Sequence, residues 1–209
     1  MAQYFVIHPR NPQGRLIQQA AEIVRGGGII VYPTDSSYAL GCHIGDKTAT
    51  ERLRRIRGID EQHHLTLVCS DLSEISRYAE VENRAYRMLR AATPGSYTFI
   101  LRATKEVPKR LQHPKRRTIG IRVPDHPVVR ALLEALGEPL LSSTLALPGE
   151  ELPLHDMDEI KERMANQADC IIDSGSCGIE PTTVVDLSGE WPVLIREGKG
   201  DPNVFGVAA

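Results

Sequence analysis

The sequence predicts a single-domain α/β protein built on a twisted, open, mixed β-sheet with flanking helices. Segments with the 3.6-residue period of amphipathic helices alternate with short, apolar, strand-like runs through the first two thirds of the chain. The last three strand candidates follow one another with no helix between them, which argues against a purely parallel sheet, since each parallel step needs a long crossover. No internal repeat, low-complexity segment or linker divides the 209 residues, so residues 1–209 read as one domain, long enough to bury a normal core.

Residues 4–7 read as a short edge strand. A loop at Asn11-Pro12 precedes a helix over 13–25, in which Leu16, Ile17, Ala20, Ala21 and Val24 share one face. Gly26, Gly27 and Gly28 end that helix, and residues 29–31 form a short buried strand. Pro33 then forces the chain out of the ladder, where Thr34, Asp35, Ser36, Ser37 and Tyr38 follow. Ligands of open α/β sheets sit at the carboxyl ends of strands, so this hydroxyl-rich stretch is a candidate pocket; a plain turn is the competing reading.

A second helix over 46–57 has Asp46 as its N-cap, and Arg52, Arg54, Arg55 and Arg57 crowd its last turns. Such a cluster is either a solvated helix end matched to the macrodipole or a phosphate clamp. A strand over 65–69 leads to helices over 72–78 and 83–91, a break at Thr93-Pro94-Gly95 and an alternating strand over 96–102. Beyond it come a strand over 118–123, a helix over 127–136 closed by Gly137, and a strand over 139–144. A loop over 148–153 and a charged helix over 156–167 precede strands over 169–173, 182–187 and 193–196.

Composition narrows the function classes. At 41% hydrophobic and 25% charged residues with a net charge of −2, the chain is an ordinary globular sequence that is not drawn as a whole to polyanions. Any polyanion contact must come from a local patch. The one candidate is the run containing Lys105, Lys109, Arg110, Lys115, Arg116, Arg117 and Arg122 against the single acid Glu106. Four cysteines with no Cys-x-x-Cys pair fit a reducing cytoplasm, the N-terminal apolar run is too short for a signal peptide, and no segment approaches 18 apolar residues, so no membrane span is expected.

Several catalytic devices are missing. There is no phosphate-binding Gly-x-x-x-x-Gly-Lys loop, no Gly-x-Gly-x-x-Gly and no nucleophile elbow. The seven histidines lack zinc-ligand spacing, so no metal site is expected from the protein alone. What remains is a set of hydroxyls and arginines at strand ends: Thr34, Arg55, Arg57, Arg122, Ser142, Ser143, Thr144, Thr182, Thr183 and Arg196. Arginine forks with completing hydroxyls suit a phosphate or carboxylate ligand, and such a site acts by positioning and charge.

Five ordered strings resemble the YrdC-like, threonylcarbamoyl-adenylate synthase family over roughly residues 13–200. They are Tyr32-Pro33-Thr34-Asp35-Ser36-Ser37-Tyr38-Ala39-Leu40-Gly41, Thr93-Pro94-Gly95-Ser96-Tyr97-Thr98-Phe99-Ile100-Leu101, Gly120-Ile121-Arg122-Val123-Pro124, Thr182-Thr183-Val184-Val185-Asp186 and Ile195-Arg196-Glu197-Gly198. Within the family the pattern is most like the YciO subgroup, with its Tyr-Phe-x-Ile-His-Pro start and Leu147-Pro148-Gly149. The resemblance implies a twisted open sheet with a concave, basic face. It implies condensation of L-threonine, bicarbonate and ATP, with Mg2+, into threonylcarbamoyl-adenylate and pyrophosphate, for N6-threonylcarbamoylation of adenosine 37 in tRNA. It also implies a second possibility, binding of double-stranded RNA or tRNA without synthase activity.

Carried over residue by residue, the resemblance assigns Thr34, Tyr38, His63, Arg122 and Thr182 to the amino acid. Arg55, Arg57, Ser142, Thr144 and Arg196 fall to ATP or AMP, with Arg55-Ile56-Arg57 in place of a Lys-x-Arg clamp. Lys105, Lys109, Arg110, Lys115, Arg116 and Arg117 are the RNA-facing candidates. The family's Ser-x-Asn nucleotide motif falls on Thr144-Leu145-Ala146, which keeps a hydroxyl and exchanges an amide for a methyl. A weakened synthase is the expectation.

Overall fold

The protein, described here by a computed structural model over residues 1–206, is organised on one ten-stranded sheet. In chain order the elements are β1 (Gln3–Val6), α1 (Gly14–Arg25), β2 (Ile30–Tyr32), β3 (Ala39–His43), α2 (Lys47–Arg57) and β4 (Thr66–Val68). Next come α3 (Leu72–Tyr78), α4 (Asn83–Ala92), β5 (Tyr97–Arg102), β6 (Thr118–Arg122), α5 (Pro127–Leu136) and β7 (Leu140–Thr144). The chain finishes with α6 (Met157–Met164), β8 (Cys170–Asp173), β9 (Thr183–Asp186) and β10 (Val193–Arg196). The strand order is β1-β8-β2-β3-β7-β4-β6-β5-β9-β10. Pairs β1–β8, β2–β8, β4–β6 and β5–β9 are parallel and the other five antiparallel, so the sheet is mixed as the sequence predicts.

One strand has no counterpart in the sequence reading. β3 folds back on β2 as a hairpin, pairing Ile30 with Gly41 and Tyr32 with Ala39. Its residues, Ala-Leu-Gly-Cys-His, carry almost no intrinsic strand preference; what makes them a strand is enclosure between β2 and β7. Gly41 is required there, because a Cβ would sit 2.6 Å from a Leu140 methyl and 2.9 Å from the Tyr32 ring. The segment from Pro33 to Tyr38 is therefore the hairpin connection.

The two faces are covered unequally. On one, α2, α3, α4 and α6 bury Val31, Leu40, Leu67, Phe99, Ile121, Leu141 and Val185 in the larger core. On the other, only α1 and α5 pack down, over Ile30, Tyr32, Val68, Leu140, Cys170 and Ile172. Helix ends follow local chemistry: the Asp46 carboxylate accepts from the Ala49 amide at 2.8 Å, and Gly58 closes α2 in the left-handed region at φ 63°. A proline could not take that φ. α6 stops at Met164, three residues short of the expected end. Among the described residues no helix is long and apolar enough to cross a membrane.

Candidate functional site

The uncovered half of the second face is a cleft of about 790 Å³. Strand alternation builds its floor: Thr98 and Ile100 of β5, Gly120 and Arg122 of β6, Thr66 of β4, and Ser142 and Thr144 of β7 all point into it, while their neighbours Phe99, Ile121, Leu67 and Leu141 enter the opposite core. Gly120 keeps the floor low, since a Cβ would come within 3.1 Å of Thr66 Oγ1 and 3.5 Å of Thr98 Cγ2. Arg57, His63, His64, Glu151 and Arg196 form the walls.

At one end Arg122 is buried, with its side chain only 10% exposed. Its Nη2 donates to Asp35 Oδ1 and its Nη1 to Ser36 Oγ at 3.3 Å, while its buried Nε–H has no partner among the described residues. Beside it, the Thr98 and Thr182 hydroxyls meet at 2.8 Å. Arg196 is fixed by donating Nε and Nη2 to the Thr182 carbonyl at 3.2 and 2.9 Å.

At the other end Arg57 reaches past the edge of β7 to donate Nε to Ser143 Oγ at 3.0 Å. Pairing of β4 with β7 stops at Thr66–Ser142, so Ser143 lies beyond the last β4 partner on that side. His63 stands at the rim; desolvation, then the positive fields of Arg57, Arg54 and Arg196, hold its pKa below the usual value. His64 is also held low, by desolvation and then by His113, on which it stacks with ring centroids 4.9 Å apart.

The cleft therefore unites Arg57, His63, Arg122, Ser142, Thr144, Thr182 and Arg196 of the expected site residues. Others lie elsewhere. Thr34 is buried beneath the hairpin connection, where its Oγ1 donates to the Ser37 carbonyl at 2.6 Å and accepts the Ser36 and Ser37 amides at 3.2 Å. Tyr38 is buried facing away, its hydroxyl donating to the Gly175 carbonyl at 2.7 Å. Arg55 is exposed and outside the cleft: residues two apart on an α-helix point roughly 200° apart, so it cannot share Arg57's direction. Ser142 Oγ lines the floor but is engaged by the Tyr32 hydroxyl at 2.6 Å and the Leu40 carbonyl at 3.0 Å.

The basic segment lies beside the cleft rather than in it. Arg110 donates to the carbonyls of Ile44 and Gly45, and Arg116 pairs with Asp186 at 3.4 Å. Lys105, Lys109, Lys115 and Arg117 are exposed. Lys115 and Arg116 border a shallow groove with His64 and His113. Five residues of the cleft carry no role in the sequence-based assignment: Thr66, Thr98, His64, Gly120 and Glu151. For two of them a signal exists: period-2 alternation puts Thr98 with Ile100, and a glycine inside strand-like 118–122 marks a close approach.

A family model described as "Sua5_yciO_yrdC: Telomere recombination" matches residues 22–198. The chain belongs to the Sua5/YciO/YrdC family. It is 58% identical over 205 residues, 98% of this chain and 100% of the relative, to the uncharacterized protein YciO of Escherichia coli K12. It is 30% identical over 172 residues, 81% of this chain and 89% of the relative, to the threonylcarbamoyl-AMP synthase of Halorhodospira halophila. The crystal structure of E. coli YciO superposes with a TM-score of 0.96, covering 98% of this chain and 100% of that one. P. abyssi Sua5 complexed with L-threonine superposes at 0.86 with 25% identity, covering 93% of this chain and 57% of that one. The large open twisted sheet is thus the family fold.

Proposed function

We propose that the cleft binds an adenine nucleotide together with L-threonine, and that the protein makes threonylcarbamoyl-adenylate from L-threonine, bicarbonate and ATP weakly, for tRNA N6-threonylcarbamoylation. The observation that carries this reading is Arg122, a buried guanidinium that lines the cleft with only two of its five N–H groups engaged. A carboxylate bound there gains charge-assisted hydrogen bonds, each about 1.5–3 kcal/mol. The threonine complex of a Sua5 relative supports the choice of amino acid.

In this reading Arg122 holds the amino-acid carboxylate, and the Thr98–Thr182 pair lies beside it. Arg57 faces the phosphates from the far end, and Arg196, fixed on Thr182, meets them from the Arg122 side. Threonine and bicarbonate join with loss of water to give N-carboxy-threonine, whose carboxylate oxygen bonds to the α-phosphorus as the α–β linkage breaks; pyrophosphate leaves with the bonding electrons, and the fixed guanidinium groups stabilise that charge. Neutral His63 is available to take up a proton there. Mg2+ arriving with ATP would supply further charge neutralisation. The described residues contain no group of three or more potential ligands, so the ion would be held mainly by the phosphates, with Glu151 the one acid lining the cleft. Ala146 stands at the nucleotide end without the amide of the family motif, which accounts for the weakness.

The test is calorimetry of the purified protein with ATP and with L-threonine, alongside pyrophosphate release in the presence of ATP, threonine, bicarbonate and Mg2+. Binding of both ligands with slow pyrophosphate release is expected. Absence of nucleotide and threonine binding sinks the reading, and binding of double-stranded RNA that falls steeply with salt would favour the RNA alternative instead.

A further inference from the structure

Asp35 is an acid packed behind the lining of the cleft, with its side chain 10% exposed and its carboxylate against Arg122. It does not engage Arg122 as a structural pair usually would, with both oxygens on one guanidinium fork. One oxygen, Oδ1, accepts from Arg122 Nη2; the other, Oδ2, accepts from the Asp125 amide at 3.1 Å. The Asp35 carbonyl is itself held, accepting from Lys199 Nζ and from Ser96 Oγ at 3.5 Å. Four other segments thereby converge on this residue of the β2–β3 connection: β6 through Arg122, the turn entering α5, the turn before β5, and the stretch after β10. The result is a guanidinium held through one hydrogen on each Nη, in a residue that lines the cleft; of its remaining N–H groups the buried Nε–H has no partner among the described residues.

We infer that Asp35 is a positioning residue that pre-sets Arg122 for the substrate carboxylate; the identity of that carboxylate rests on the function proposed above. An unrestrained arginine loses substantial rotamer entropy on binding. Held at Asp35 and Ser36, Arg122 has already lost it before the carboxylate arrives. Because Asp35 neutralises one positive charge, the arrangement favours geometry over raw attraction.

The test uses the isosteric Asp35→Asn. An amide offers one acceptor oxygen, whereas Asp35 accepts from two donors, so the variant must release either Arg122 or the Asp125 amide. In the free protein the Nε–H resonance of Arg122, assigned by its loss in Arg122→Lys, should be slowly exchanging and distinct, and should move toward the exposed arginines in Asp35→Asn. Threonine affinity should fall on the order of tenfold, the loss expected from a charge-assisted hydrogen bond. In the Arg122→Lys background the same substitution should change little, because both act through one group. An unmoved resonance, or an equal loss in the Arg122→Lys background, overturns the inference. If wild type binds no threonine, the proposed function fails while the resonance still decides the positioning role. Should Asp35→Asn not fold by thermal unfolding, Ser36→Ala carries the same test at Nη1.

Discussion

Replacing Gly198 with alanine attacks the site from behind, through backbone alone. An added Cβ would lie 2.3 Å from the Pro181 carbonyl oxygen and 2.7 Å from both the carbonyl carbon and oxygen of Thr182. No side chain can rotate away, since every clashing atom is backbone. To restore even a 3.0 Å approach from 2.3 Å, the two segments must separate by about 0.7 Å. That movement strains the Lys199 amide bond to Pro181 O at 2.9 Å and the Gly198 amide bond to Thr183 Oγ1 at 2.9 Å. It also pulls Thr182 O away from Arg196. Overpacking costs about 1–3 kcal/mol and each weakened hydrogen bond about 0.5–1.5 kcal/mol, for a total of about 3 kcal/mol. For a chain of this length that corresponds to a fall in Tm of roughly 6–12 °C. Thermal unfolding and ATP calorimetry measure the two consequences, and ATP affinity should fall because Arg196 loses its anchor. Gly189→Ala is the control, where the nearest atom to an added Cβ is 4.0 Å away. A Gly198→Ala protein with unchanged Tm and unchanged ATP affinity would refute the reasoning.

Ala146→Asn should strengthen nucleotide binding or pyrophosphate release by roughly 5- to 100-fold, the worth of one polar contact of about 1–3 kcal/mol, as read by calorimetry and the release assay. Arg57→Ala should weaken ATP binding at least tenfold while leaving threonine binding within about twofold, since Arg57 donates to Ser143 at the far end from Arg122; Arg55→Ala should do neither. His63, whose pKa is lowered in the folded protein, resists protonation there relative to the unfolded chain. Its contribution to stability is therefore present above its unfolded pKa and is lost as pH falls through the lower folded value. Bound phosphate favours the protonated ring, so ATP binding near pH 6 should take up a proton, visible as buffer-dependent calorimetric enthalpy and abolished in His63→Gln.

Much of this architecture is written in local sequence. Helices α1, α2 and α5 announce themselves through an apolar face, an Asp46 cap and the Pro127 to Gly137 frame, because each is decided by interactions within a few residues. β3 is not, since its pairing depends on partners near residues 30 and 142 that no local window contains. The site divides along the same line. Arg57, Arg122, Thr182 and Arg196 stand at strand or helix ends and meet in the cleft. The roles of Thr34 and Tyr38 were assigned by motif, yet burial sends the first into its own turn and the second to the opposite side. Motif matching reports which residues accompany a site. It does not report which atom of a residue faces it.

The location of the cleft follows from a mismatch in size between the sheet and its cover. Ten strands at roughly 4.8 Å spacing span about 45 Å. α1 and α5, packed side by side, cover residues of the six strands from β1 to β4 in the sheet order. They sit over the β1 end, where Ile30, Tyr32, Val68, Leu140 and Cys170 are apolar. The rest of that face meets water, which lets polar residues such as Thr66, Thr98, Ser142 and Thr144 stand on the floor beside Ile100. The boundary crosses β7 within one strand: Leu140 lies under the helices, while Ser142 and Thr144, two and four residues on and on the same face, lie in the cleft. β4 makes the same change in reverse, from Thr66 in the cleft to Val68 under cover. A third helix over this face would close the sheet and remove the site; the hydroxyl-rich floor is what a stable sheet presents where no helix is supplied.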